Sequence, residues 1–232
     1  MMQNNIFNGF FYLSIIIALL DWYAVSRDYP RFRILSKPLV LIFIISWFTS
    51  VHGWDKGGIY FGLALIFSLL GDIFLLKKLI VLNENFFQLG LIAFLLTQIF
   101  YIIGFNQAGL PPFALSIIVL IIVAFISSLN GKPILQKLQE SMEGKKLIIP
   151  IVIYMTALSL MLTSALSTFF QNSWNPTAAL LCGLGAILFY LSDSILAHDK
   201  FVGVIRVSEL LVTLTYHLGQ IALIAGYLLH QT

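Results

Sequence analysis

The chain has 232 residues, of which 59% are hydrophobic and only 10% charged, and its net charge is +3. A soluble domain carries roughly 25% charged residues, and a globule of this size cannot hide so much apolar surface from water. The composition excludes a soluble fold and specifies one whose solvent is the bilayer, and a balance of +3 then calls for no nucleic-acid partner.

Within hydrocarbon the backbone must satisfy its own hydrogen bonds, which leaves helices or a closed barrel. Barrel strands would alternate apolar and polar residues, whereas the apolar runs here are unbroken, so the expected fold is an all-α transmembrane bundle. A span needs about 20 apolar residues, and the sequence accommodates eight, near 6–25, 38–53, 58–76, 86–105, 112–129, 147–169, 176–197 and 206–229. Pro38, Pro112 and Pro176 stand at expected helix starts, where a missing N–H costs nothing, and Pro150 falls early in helix six. The longest polar connection is the stretch 130–146. The first run follows residues 1–5, which lack a basic segment, and is read as a retained helix rather than a signal peptide.

Orientation follows from Lys and Arg in the connections. Arg27, Arg31, Arg33 and Lys37 precede helix two; Lys77 and Lys78 follow helix three. Lys132, Lys137, Lys145 and Lys146 separate helices five and six, and Lys200 and Arg206 separate seven and eight. Twelve of the thirteen basic residues thus fall on one side, with Lys56 alone on the other. Both termini are expected on the non-cytoplasmic face; in a bacterial cell this would be a multi-pass protein of the inner membrane.

An internal repeat is visible. Leu63–Leu76 reads LALIFSLLGDIFLL and Leu184–Ala197 reads LGAILFYLSDSILA, with Asp72 and Asp193 at matching places 121 residues apart. Four helices per repeat makes the halves parallel, so both aspartates should lie at equal depth on the cytoplasmic side. The expectation is one transmembrane domain over 1–232, with repeat halves 1–110 and 111–232. Asp72 would lie roughly 6 Å inside the end of helix three at 1.5 Å per residue. Carboxylates within a span are costly and mark function by default; the bland alternative has each snorkelling to Lys77, Lys78 or Lys200. Two close acids titrate as a coupled pair and can supply an acid and a base together.

Other polar residues share helical faces. Glu209, Thr213, Tyr216 and Gln220 form a stripe on helix eight that lipid would not tolerate, so it should point inward. Helix four aligns Phe94, Gln98, Tyr101 and Phe105. Helix six aligns Thr156, Ser159, Thr163 and Ser167, which suits packing and hydroxyl-to-backbone bonding. Asp21 is expected to be interfacial and structural. Lys37, just before Pro38, is directed by the helix start and suits a lipid phosphate. Four scattered histidines (His52, His198, His217 and His230) and one cysteine, Cys182, form no metal-ligand motif, so no metal or other cofactor is expected.

The segments FSLLGDIFLL (67–76), FQLGLIAFLLTQIFY (87–101), LFYLSDSILAHDKF (188–201) and TYHLGQ (215–220) resemble the YhhN family of membrane proteins, which includes the animal lysoplasmalogenases. The sequence departs from that pattern at Gln98, His217 and Gly219. The resemblance implies hydrolysis of the vinyl ether bond of a lysoplasmalogen, a lysophospholipid, to a fatty aldehyde and a glycerophospho-base. Protonating the vinyl β-carbon creates an oxocarbenium ion that water attacks. Asp72 and Asp193 would share the acid and base roles, which neither spacing nor composition divides between them. Lys37, Gln98, Tyr101, Tyr154, Ser192, Tyr216 and Gln220 would bind the substrate. The rival class is a small proton- or cation-coupled transporter, or a lipid-binding protein, using the same aspartates. An intramembrane aspartyl protease is disfavoured, because LLGD at 69–72 lacks the first glycine of GxGD.

Overall fold

The computed structural model describes residues 6–51, 53–55, 57–81, 84–107, 109 and 112–231, with the side chains of 77–81 and 84 outside that set. His52 and Lys56, the one basic residue expected on the opposite face, lie outside the described residues, as do the side chains of Lys77 and Lys78. Among the described residues the chain forms α1 (Gly9–Ser26), α2 (Pro30–Ser50), α3 (Ile59–Val81), α4 (Glu84–Asn106), α5 (Phe113–Gln139), α6 (Met142–Ser167), α7 (Pro176–Phe201) and α8 (Ser208–Gln231). One short 3-10 turn, Thr168–Phe170, follows α6. All eight α-helices are long and apolar enough to cross a membrane.

Local chemistry sets the helix starts. Asn8 caps α1 by accepting from the Phe10 and Phe11 amides at 3.0 and 3.4 Å. Ser141 caps α6 through the Gly144 amide at 3.0 Å, and Asn175 caps α7 through Thr177 at 2.9 Å. Each side-chain oxygen satisfies an amide that the first helical turn leaves without a partner. Pro112 directly precedes α5, and Pro176 opens α7 as expected.

Two expectations need correction. Helix two begins at Pro30, so Pro38 is internal and Arg31, Arg33 and Lys37 lie on the helix rather than in a loop. Pro30 occupies the first turn, where proline is tolerated, and Arg33 and Lys37 are one turn apart on a face that meets carboxylates inside the bundle. The polar stretch 130–146 is also mostly helix: α5 runs to Gln139 and α6 starts at Met142, which makes Pro150 its ninth residue. Leu, Gln, Lys and Glu are good helix formers, and Ile134 and Leu138 of α5 pack with Ile151 of α6 in a small cluster of their own. At 1.5 Å per residue α5 is about 40 Å long, so its last turns extend beyond a hydrocarbon core of about 30 Å.

Consecutive helices pack pairwise: α1 on α2, α3 on α4, α5 on α6 and α7 on α8, with α2 also on α3 and α6 on α7. Longer-range contacts join α4 to α6 and α2 to α8. The connections between consecutive helices are short, as suits antiparallel neighbours. The main core buries Trp47, Phe48, Phe61, Tyr101, Phe105 and Phe189 completely. α7 and α8 meet through small residues. A Cβ on Gly219 would stand 3.0 Å from both Gly185 O and Phe189 N, and one on Gly185 would stand 2.7 Å from Leu223 N. Such close backbone approach is a common means of helix association in lipid.

Candidate active site

Asp72 is fully buried on α3. Lys37 Nζ, reaching across from α2, lies 2.9 Å from its Oδ1, and the Lys37 ammonium also stands 5.8 Å from the Tyr216 ring centroid. The Tyr216 hydroxyl of α8 neighbours the same carboxylate without a well-aligned hydrogen bond. The start of α2 at Pro30 makes this possible, because it places Lys37 inside the span instead of at the interface. Snorkelling towards Lys77 or Lys78 is therefore not needed to compensate Asp72.

Asp193 of α7 is held differently. It accepts a short hydrogen bond from the Tyr154 hydroxyl of α6. Gln98 of α4 is fully buried beside Tyr154, and neither its amide oxygen nor its nitrogen has a hydrogen-bond partner. Asp193, Asp72 and Lys37 lie within electrostatic reach of one another. Asp193 and Tyr154 line a cavity of about 80 Å³ between α4, α5, α6 and α7. Its walls are otherwise mostly apolar, with Phe94, Leu158 and Ile134 among them, and the polar groups Asn130, Ser194 and Lys200. At its rim the Lys200 ammonium lies 3.9 Å from the Phe87 ring centroid.

Below Asp72 a polar chain runs through the core. The Tyr101 hydroxyl donates to Gln220 Oε1 at 2.6 Å, and Gln220 Nε2 donates to Ser68 Oγ at 2.8 Å. Ser68 lies 3.2 Å from Thr97 Oγ1 and one helical turn from Asp72. Tyr101 and Gln220 are thus bonded to each other and to Ser68 rather than to the aspartate. Three of the four residues of the α8 stripe face inward, since Thr213, Tyr216 and Gln220 are buried, whereas Glu209 at the helix start is exposed. Ser192 is not brought to the cluster. Its hydroxyl donates to Val212 O of α8 at 3.1 Å, because a helix turns about 100° per residue and directs neighbours apart. On helix six, Ser159 and Thr163 bond to backbone carbonyls within the bundle, whereas Thr156 faces outward and bonds Val152 O.

Several residues of this region escaped the sequence reading. Arg33 forms an ion pair with Glu209, donates to Thr213 at 3.2 Å and lies 3.9 Å from buried Asp21. Ser36 also donates to Asp21. The signal was present as Arg33 and Lys37 at a spacing of four, but it is recognisable only if the helix is extended back past Pro38. His217 is fully buried; its Nδ1 accepts from Trp22 Nε1 at 3.2 Å, which leaves the proton of the neutral ring on Nε2. Ser68 and the α5 residues Ser127 and Asn130 carried no signal beyond small polar residues in apolar helices. No group of three or more His, Cys, Asp or Glu able to hold a metal occurs among the described residues.

Membrane-length helices enclosing a lysine-paired carboxylate, a phenol-paired carboxylate and an apolar cavity define a multi-pass membrane protein with a polar site inside its bundle. The sequence profile of the YhhN family matches residues 32–227, and the chain belongs to that family. It is 28% identical over 222 residues to the lysoplasmalogenase TMEM86B of Mus musculus, across 94% of this chain and 84% of the mouse protein. No solved structure matches the chain.

Proposed function

We propose that this protein is a lysoplasmalogenase-like hydrolase that cleaves the vinyl ether bond of a lysophospholipid, with Asp193 as the acid and Asp72 as its anionic counterpart. The observation that carries this reading is the unequal pairing of two matched aspartates: a cation for Asp72, a phenol for Asp193. Likeness to the mouse lysoplasmalogenase supplies the substrate class. The internal repeat sharpens the contrast. A shift of 121 residues carries α2 onto α6 and exchanges the α4–α6 and α2–α8 contacts. The same helix of each half therefore partners its aspartate, with Lys37 in one case and Tyr154 in the other.

In the proposed reaction the Asp193 carboxylic acid, which lines the cavity, delivers its proton to the β-carbon of the vinyl ether. The double bond's electrons form the new C–H bond, and the ether oxygen shares the positive charge at the α-carbon. Asp72, ion-paired with Lys37, stabilises that cation electrostatically. Water adds to the α-carbon and gives up a proton to the Asp193 carboxylate, which restores the acid. The hemiacetal then collapses to a fatty aldehyde and a free glycerol hydroxyl. Gln98, with an amide lacking partners beside Tyr154, is suited to holding that water. The basic ends of the helices are proposed to face the cytoplasm, with both termini on the other side.

The test is release of fatty aldehyde from lysoplasmenyl-ethanolamine by the purified protein in detergent, followed by mass spectrometry. Wild type should release it, and Asp72→Asn and Asp193→Asn, checked for folding by gel filtration, should not. Release by Asp193→Asn at the wild-type rate would overturn the assignment.

A further inference from the structure

The Asp193 cavity is too small for the lipid it is proposed to serve. A water-sized group needs ~10–15 Å³ by this measure, so about 80 Å³ accommodates only a handful of heavy atoms. This is enough for a vinyl ether and its neighbours, and far too little for a long hydrocarbon tail. The tail must therefore extend beyond the cavity.

A second, larger space lies directly behind one wall. A groove of about 530 Å³ runs along the outer side of α5 and α6 and draws its lining from these two helices alone. Leu120, Ala124, Val152 and Leu160 line its length, the charged and amide residues Lys132, Gln136 and Gln139 gather towards the end of α5, and the hydroxyls of Ser127, Ser128, Thr156 and Ser159 lie between. The surface of the groove is nevertheless mostly apolar, and α5 is the least buried of the spans.

Ser127 and Met155 line both the cavity and the groove. At this level the wall between them is thin. The Ser127 hydroxyl lies 2.7 Å from Ser159 Oγ and 2.9 Å from the Tyr190 hydroxyl. One turn along α5, Gly131 offers no side chain, and a Cβ there would collide with the Met155 methyl. A flexible thioether thus fills the gap that a β-carbon would otherwise close. To one side the seam is sealed by Ile134, Leu138 and Ile151, and to the other by buried Val123 and Leu158. The weak point is confined to the shared residues.

We infer that the hydrocarbon tail of the substrate passes from the Asp193 cavity through the α5–α6 seam at Ser127 and Met155 into the outer groove. The identity of the lipid rests on the hydrolase reading; the thin wall and the groove behind it do not. The seam opens by separating Ser127 from Ser159 and rotating Met155. After cleavage the fatty aldehyde leaves by the same path into the bilayer, while the water-soluble head departs past Lys200. The tail's occupancy of the groove distinguishes this arrangement from one in which the groove holds only annular lipid.

The seam can be locked by Ser127→Cys with Ser159→Cys in a Cys182→Ser background, since the two hydroxyl oxygens are already in contact. The probe is a saturated, non-hydrolysable ether lysophosphatidylethanolamine with a diazirine at the end of its tail, photolysed on the purified protein and mapped by peptide mass spectrometry. In the reduced protein the label should fall on groove residues around Leu120 and Leu160, and oxidation should abolish it. Gly131→Leu, which fills the seam without a disulfide, should abolish it too. With vinyl ether substrates, oxidation should collapse the ratio of long-tail to short-tail turnover. Groove labelling that persists in both the oxidised protein and Gly131→Leu would mean annular lipid and would overturn the portal. Labelling that depends on the open seam, without turnover of any vinyl ether, would uphold the portal and remove the hydrolase.

Discussion

Replacing Lys37 by Met tests the central electrostatic claim, because it removes the charge while keeping most of the side chain's volume. Lys37 Nζ lies 2.9 Å from an Asp72 oxygen, with the two side chains only 12% and 0% exposed. Removing one member of such a buried pair costs about 3–5 kcal/mol, chiefly because the other charge is left uncompensated. At about 1.4 kcal/mol per factor of ten, the folded-to-unfolded ratio should fall by roughly two to four orders of magnitude. Unfolding in mixed micelles, followed by circular dichroism as the SDS fraction rises, reads this directly. Asp72→Asn should also destabilise, by leaving the ammonium unpaired. The double variant Lys37→Met/Asp72→Asn should recover most of the loss, since neither partner then carries a charge. The double variant should nevertheless release no aldehyde, which separates stability from chemistry. A Lys37→Met protein that unfolds at the wild-type midpoint and keeps its activity would refute the pairing as the source of either effect.

Tyr154→Phe removes the hydroxyl that donates to Asp193 and would stabilise the carboxylate left as its proton is delivered; a hydrogen bond to a charged group is worth about 1.5–3 kcal/mol, so turnover in the aldehyde assay should fall by about ten- to a hundredfold in a folded protein. Ser192→Ala removes only an interhelical bond to Val212 O, worth about 0.6 kcal/mol in lipid, and should leave aldehyde release unchanged while shifting the unfolding midpoint slightly. Gly219→Val places a branched side chain where a Cβ already stands 3.0 Å from two α7 backbone atoms, and overpacking of this kind costs about 1–3 kcal/mol. Its unfolding midpoint should drop markedly, and an unchanged midpoint would show that α7 and α8 separate without cost.

Much of this organisation is legible without coordinates, because the bilayer imposes strong and simple rules. Unbroken apolar runs mark eight spans, since each must satisfy its own backbone hydrogen bonds. Asp72 and Asp193 stand out because a carboxylate in hydrocarbon is expensive, and Thr213, Tyr216 and Gln220 of the α8 stripe face inward because lipid does not tolerate polar groups. Composition is far less informative about where a helix begins within a charged segment. Arg33 and Lys37 look like a topology signal until α2 is seen to start at Pro30, and the stretch 130–146 looks like a loop until Ile134, Leu138 and Ile151 are seen to pack. The local sequence carries the acids, the phenols and the spacing that puts them on helical faces. Only the packing of α2 on α3 and of α6 on α7 decides that Asp72 faces an ammonium and Asp193 a hydroxyl, because ion pairs and cavities form between helices distant in sequence, where short-range periodicity has no reach.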